Sequence, residues 1–227
     1  MSNSIQQANL DQIKYILEQG IDIRAFAFKE SARYGHLDAV KYLVEKSADI
    51  HAESESALIC SAENGHLDVV KFLIKKGADL TAGDNGALVC SAENGHLDVV
   101  KFLIKKGADV NAGEFKALTC SADNGHIDVV KFLVEKGADV NADDGSAITI
   151  SAWNNHFDIV KFLVRKGAQI QNKDAIRLSI EYGHLDIVKY LIKNGATVPS
   201  VVERTHEPGF NKTMKYLTGQ GFDIRAK

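Results

Sequence analysis

Two prolines, one tryptophan and three cysteines are all that the 227 residues hold of these types. No apolar run approaches the roughly 20 residues of a membrane-spanning helix, so a transmembrane protein is not expected. The cysteines Cys60, Cys90 and Cys120 recur at intervals of 30. Structural copies stacked about 10 Å apart would hold neighbouring thiols beyond the ~7 Å Cα separation that a disulfide spans. The same spacing defeats a shared metal, whose ligands must all stand about 2 Å from one ion. Small buried thiols in a reducing compartment are expected, with no disulfide, metal or other cofactor. An excess of charge of one sign is also missing. Lys and Arg total 27 against 30 Asp and Glu, a net of −3, which gives no global attraction to nucleic acid or membrane. Met1-Ser2-Asn3-Ser4 opens no signal-peptide pattern, so an intracellular protein, cytoplasmic sooner than nuclear, is the expectation. Phosphate-binding glycine loops, zinc-protease motifs and paired acids outside the repeated wording are absent, and the chain reads as a non-enzyme.

What is present is repetition. His36, His66, His96, His126, His156 and His184 follow one another at intervals of 30, 30, 30, 30 and 28 residues. Such a period marks a stacked repeat array, in which each copy mainly contacts its neighbours. Within residues 57–80, Leu58 and Ala62 lie four apart and share a helix face. Gly65 ends that helix. A second one follows, with Leu67, Val70, Leu73 and Ile74 on an apolar stripe and Asp68, Lys71 and Lys75 opposite. Its acid sits in the first turn and its lysines in the last, as the helix dipole favours, and Gly77 closes it. Helices of two or three turns are marginal in water and must pack on their neighbours. Ser31, Ser61, Ser91, Ser121, Ser151 and Ser179 keep one packing position small and are not read as nucleophiles. Six imidazoles about 10 Å apart cannot share an ion, so the histidines are read as seals between copies that bond backbone groups.

The ends differ from the middle. Ile5 to Gly20 reads as a degenerate second helix behind a short first one, and Val201 to Ile224 has lost the histidine, Phe210 following Gly209. Residues 1–26 and 201–227 are expected to cap six regular repeats spanning 27–200, because terminal copies expose faces that no neighbour covers.

The wording from Gly95-His96-Leu97-Asp98-Val99-Val100-Lys101-Phe102-Leu103 to Asp109-Val110-Asn111-Ala112 resembles the second half of an ankyrin repeat, and the likeness covers nearly the whole chain. Copies of 30 residues in these words are most similar to the ankyrin-repeat proteins of giant DNA viruses of amoebae. The resemblance implies an all-α fold, an ankyrin-repeat solenoid of stacked antiparallel helix pairs with short inter-repeat loops and a concave surface that binds a protein. The chain departs from the family where Ser56-Ala57-Leu58-Ile59 and its copies replace Thr-Pro-Leu-His, and where the period falls short of about 33. A compact turn with little β-structure is therefore expected in place of a two-stranded finger.

Recognition should lie where the copies differ. The resemblance puts on the concave side the two residues before each helix-ending glycine, or before Asn155 in the fifth copy: Arg33-Tyr34, Glu63-Asn64, Glu93-Asn94, Asp123-Asn124, Trp153-Asn154 and Glu181-Tyr182. The loops add Glu53, Glu55, Asp84, Glu114, Phe115, Asp143, Asp144, Lys173 and Asp174. Tyr34, Phe115, Asp143, Asp144, Trp153, Tyr182, Glu63, Glu93 and Asp123 are the candidate protein-binding residues. Their acids suit a basic host protein, and the aromatics are the candidate anchors. A core-filling role for Trp153 competes, although its equivalents are Glu or Asp in four copies. The leading expectation is a scaffold or adaptor, monomeric alone, that binds protein and not membrane. The alternatives are nucleic-acid binding through the lysine-rich backs of the second helices, and a structural or decoy role. The lysine face shows no interleaved exposed aromatics and no groove-reading motif, which ranks nucleic acid lower.

Overall fold

The computed structural model describes residues 2–113, 116–171 and 173–227, with side chains from residue 10 onward except at 173. In a first compact unit, ending at Gly113, α1 (Ser2–Glu18) precedes three helix pairs. These are α2 (Arg24–Arg33) with α3 (Leu37–Glu45), α4 (Ala52–Glu63) with α5 (Leu67–Lys75), and α6 (Ala82–Glu93) with α7 (Leu97–Lys105). The second unit pairs α8 (Lys116–Asp123) with α9 (Ile127–Glu135), α10 (Ala142–Trp153) with α11 (Phe157–Arg165), and α12 (Lys173–Glu181) with α13 (Leu185–Lys193). It closes with β1 (Val201–Val202), α14 (Phe210–Gly219) and β2 (Arg225–Ala226). First helices pack on first helices, α2 on α4 on α6 and α8 on α10 on α12. Second helices likewise pack on second helices, α3 on α5 on α7 and α9 on α11 on α13. The fold is the expected all-α stack of helix pairs with short connections.

The stripe positions explain why nine-residue helices hold. In α5 the fully buried side chains are Val69, Val70 and Leu73. The sequence reading put Leu67 and Ile74 in that stripe and omitted Val69; both are only half-buried. Each buried aliphatic side chain contributes about 1.5–3 kcal/mol, and repetition along the stack supplies what a lone short helix lacks. The first helices bury Ala57, Leu58, Ser61 and Ala62, and Ser61 Oγ donates to the Leu58 carbonyl at 2.9 Å. That hydroxyl is satisfied inside the protein, which fits a packing role.

The turn between the paired helices is built from backbone bonds. The His66 N–H reaches the Ser61 carbonyl at 2.8 Å and the Gly65 N–H reaches the Ala62 carbonyl at 3.2 Å. This is the closure made by a left-handed residue after a helix, here Gly65 at φ 74°. Between pairs, the expected compact connection is a left-handed turn of three residues. Glu53-Ser54-Glu55, Gly83-Asp84-Asn85 and Asp143-Asp144-Gly145 all have positive φ, and right-handed helix begins only after them. Asn, Asp and Gly tolerate this conformation best, which matches two of the three triplets. No strand occurs in these connections among the described residues.

At the N-terminal end the expected short helix and second helix are instead the single 17-residue α1, which packs on α3. At the C-terminal end an extended segment runs from Ser200 to α14, and β1 pairs in parallel with β2 through two residues.

Candidate functional site

The recurring histidine is a joint between copies. His66 Nε2 donates to the Arg33 carbonyl at 2.9 Å and His96 Nε2 to the Glu63 carbonyl at 2.9 Å. In the second unit His156 donates to the Asp123 carbonyl at 2.7 Å and His184 to the Trp153 carbonyl at 2.7 Å. A carbonyl only accepts, so the proton sits on Nε2. The ring lies against the glycine that ends the preceding first helix. A Cβ on Gly35 would stand 2.5 Å from His66 Nδ1, and one on Gly65 2.6 Å from His96 Nδ1. For His36, Nδ1 is buried without a partner among the described residues, and burial, then the nearby His66, lowers its pKa below the usual histidine value.

The acceptor in each joint is a main-chain atom of the residue that the sequence reading singled out as variable. Side-chain exposure at these positions and at the residues that follow them varies from copy to copy. In the first unit Tyr34 is 60% exposed and Glu63 and Glu93 are exposed. In the second, Trp153 is 42% exposed, Tyr182 is half-buried, and their rings meet edge-on at 5.9 Å. Tyr182 also stacks on His184 at 6.3 Å. Asp123 is half-buried and receives Asn154 Nδ2 at 2.6 Å on Oδ1. Asp123, Asn154, Trp153 and Tyr182 thus form a continuous ridge along the ends of α8, α10 and α12.

Asp143 and Asp144 do not join that ridge. Both are exposed, in the left-handed turn at the start of α10, with the helix between them and Trp153 at its far end. At 1.5 Å per residue the right-handed part of α10 separates the two groups by roughly 10 Å. Phe115, grouped with them in sequence, lies outside the described residues.

Two supposed surface acids are structural. Glu55 is 3% exposed. Its Oε1 accepts the Asp79 N–H at 3.1 Å and pairs with His51 Nδ1, so it fastens the connection that follows α5. That bond to Glu55 raises the pKa of His51. Glu181 is also 3% exposed and accepts Arg177 Nη1 at 2.8 Å and the Glu203 N–H at 2.9 Å. Nor are all the exposed acids free, since Glu53 receives Lys29 Nζ at 2.6 Å, which raises the lysine's pKa. Among the thiols, Cys60 is buried as expected, whereas Cys90 and Cys120 are half-buried.

The lysine face holds what the sequence reading missed. Lys76 lies 5.7 Å from the centre of the Phe72 ring, Lys106 5.7 Å from that of Phe102, and Lys71 5.9 Å from Phe102 on the next second helix. In the second unit Lys161 stands 4.5 Å over Phe157. The aromatics there are half-buried, as the lack of exposed rings implied, and carry ammonium groups over their faces at about 0.5–1 kcal/mol per contact. The i, i+4 spacing of Phe72 and Lys76 was the signal available.

Among the described residues no group of three or more His, Cys, Asp and Glu could hold a metal ion. No described helix is long and apolar enough to cross a membrane. No curated protein matches the chain. A family profile described as "Ankyrin repeats (3 copies)" matches it three times, over residues 2–84, 82–144 and 142–201. Helix pairs joined by a tight glycine turn, repeated with the histidine joint and matched by that profile over most of the sequence, identify the chain as a member of the ankyrin-repeat family.

Proposed function

We propose that the chain is a scaffold or adaptor that holds a basic partner protein along its helix-end ridge and the acidic turns. Ankyrin repeats are a non-catalytic scaffold whose members generally bind proteins. The observation that carries the reading is Trp153. Its main chain is fixed by His184 while its ring stays 42% exposed beside Tyr182. A rigid, part-exposed tryptophan loses little conformational freedom on binding and is the commonest kind of hot spot. Glu63, Glu93, Asp123, Asp143 and Asp144 supply charge that speeds encounter with a basic surface. The 30-residue wording supports an origin among giant viruses of amoebae, with a host protein as partner in the cytoplasm, the chain itself being monomeric. Residues 1–26 and 201–227 act as caps on the regular repeats of 27–200.

Trp153→Ala should leave cooperative unfolding nearly unchanged and weaken the complex by about 2 kcal/mol or more. Leu163→Ala, at a fully buried position of α11, should cost about 2–5 kcal/mol of stability. Calorimetric titration of a partner captured by the wild-type chain, run beside chemical denaturation, checks both. Unchanged affinity with a large stability loss for Trp153→Ala would return that ring to the core. Nucleic acid is disfavoured as the ligand because the rings of the lysine face are already covered by the chain's own ammonium groups. A salt-dependent DNA affinity, lost on reversing Lys75, Lys105 and Arg165 but not on changing Trp153, would reverse that order.

A further inference from the structure

The outward face of α2 differs from the same face of α4 and α6, its neighbours in the first unit. Positions 56, 60 and 64 of α4 and 86, 90 and 94 of α6 lie on one helical row, four residues apart. That row faces the preceding first helix. Arg33 Nη2 is 3.7 Å from Cys60 Sγ, and a Cβ on Gly86 would meet Ile59 Cδ1 at 3.0 Å. In the second unit Ser146 Oγ meets Thr119 Oγ1 at 3.0 Å. The covered rows of α4 and α6 are made of small or short residues, Ser56-Cys60-Asn64 and Gly86-Cys90-Asn94, whereas that of α12 also takes Leu178 and Tyr182. The row of α2 is Phe26, Glu30 and Tyr34, and among the described residues the helix before it is α1, which packs on α3.

Phe26 is 72% and Tyr34 60% exposed. They flank an open groove of about 330 Å³ between α1 and α2, floored by Ile13, Ile16, Ile23 and Ala27. Glu30 lines the same groove. Its carboxylate accepts no hydrogen bond among the described residues, and the nearest cation is Arg33 Nε at 3.8 Å. The groove continues the row of seats that α2 offers α4 and α4 offers α6.

We propose that this groove binds one amphipathic helix of a partner protein, with an apolar stripe on the isoleucine floor and an arginine or lysine between Phe26 and Tyr34 against Glu30. A carboxylate flanked by two aromatic faces suits a guanidinium, which takes a charge-assisted bond from the acid and stacks on the rings. Helix-in-groove docking uses anchors at i, i+3, i+4 and i+7, which the groove's apolar floor can receive. A second copy of this chain is the weaker occupant, because a two-fold pairing through this face would set Glu30 against its own symmetry mate. This surface is separate from the Trp153 ridge, so either can fail alone.

The test is a displayed library of amphipathic helical peptides of about five turns, selected on the full chain. The expected winners carry a basic residue within an apolar stripe. They should bind at least about tenfold more weakly to Phe26→Ser and to Glu30→Gln, and equally well to Trp153→Ala. Phe26→Ser installs the residue found at position 56 and alters an exposed side chain, so unfolding should be unchanged. The proposal is overturned if no peptide is enriched, if enriched peptides bind the variants as well as the wild type, or if the free chain sediments as a dimer that Phe26→Ser dissolves.

Discussion

The outer faces of α2 and α12 both lack a neighbouring first helix, and the chain treats them in opposite ways. Beyond α12 an extended segment lies where a helix would, and Glu181 fastens it. The carboxylate takes the Glu203 N–H, and the Glu181 carbonyl takes the Thr205 hydroxyl. The last helix then closes down until backbone meets backbone, with Phe210 at 3% and Leu217 at 0% exposure. Beside α2, among the described residues, stands α1, which packs on α3, and Phe26 is in solvent. One phenylalanine is buried to finish a core, and the other is left out. The lesson is that one outer face of a repeat array can be sealed by its own chain while another is left open, and the exposure of Phe26 against the burial of Phe210 tells which is which.

The sharpest break in this comparison is a matched pair of truncations. Phe210→Ala should cost about 3–5 kcal/mol through lost burial and a cavity. Phe26→Ala should stay within about 0.5 kcal/mol of wild type, as surface changes do. Urea denaturation of both variants measures the difference, and equal losses would mean that the α2 face is closed too.

A second pair uses glycine. Gly183 has φ 75°, and a Cβ there would stand 2.3 Å from the Gly209 backbone, which cannot swing away as a side chain could. Gly20 has φ 78° and nothing within 4 Å. Left-handed strain of about 1–2 kcal/mol applies to an alanine at either site, but overpacking of a further 1–3 kcal/mol applies only at Gly183. Gly183→Ala should therefore lower the midpoint well below that of Gly20→Ala in the same titration.

The smallest expected effect is one of pH, within the first unit. The folded-state pKa of His51 is raised by its bond to Glu55, so its stabilisation is complete below the ordinary value of 6.5 and fades as pH rises through the folded value. His36 works the other way. Its folded pKa is lowered by burial, so folding weakens as pH falls from 6.5 toward the folded value. His51→Ala should thus be more damaging near about pH 6 than near about pH 9, and His36→Ala should blunt the acid sensitivity of the wild type. Denaturation curves at both pH values separate the two, and a pH-independent His51→Ala effect would remove the charge from the Glu55 contact.

Much of the scaffold was legible because its causes are local. A glycine that ends a helix, an acid in a first turn and an apolar residue every third or fourth position are visible in a short window, and the 30-residue period gave the stacking. The exposed positions of Tyr34 and Trp153 followed from variability among copies. What escaped depended on partners distant in sequence or on backbone handedness. Glu53 and Glu55 look alike in the chain, but a left-handed triplet turns the first outward and the second beneath residue 79. The extended segment that closes on α12 has no periodicity to announce it. Phe26 looks like one more apolar residue in a helix until the row it belongs to is aligned with rows that have neighbours.

Because each histidine grips a main-chain oxygen, that bond does not depend on which side chain the same residue carries. Arginine, glutamate, aspartate and tryptophan all serve at that place with the same bond at 2.7–2.9 Å. Partner preference can therefore be rewritten one position at a time, like exchanging the type in a fixed printing frame, and a lineage that duplicates the unit inherits a blank slot with each new copy.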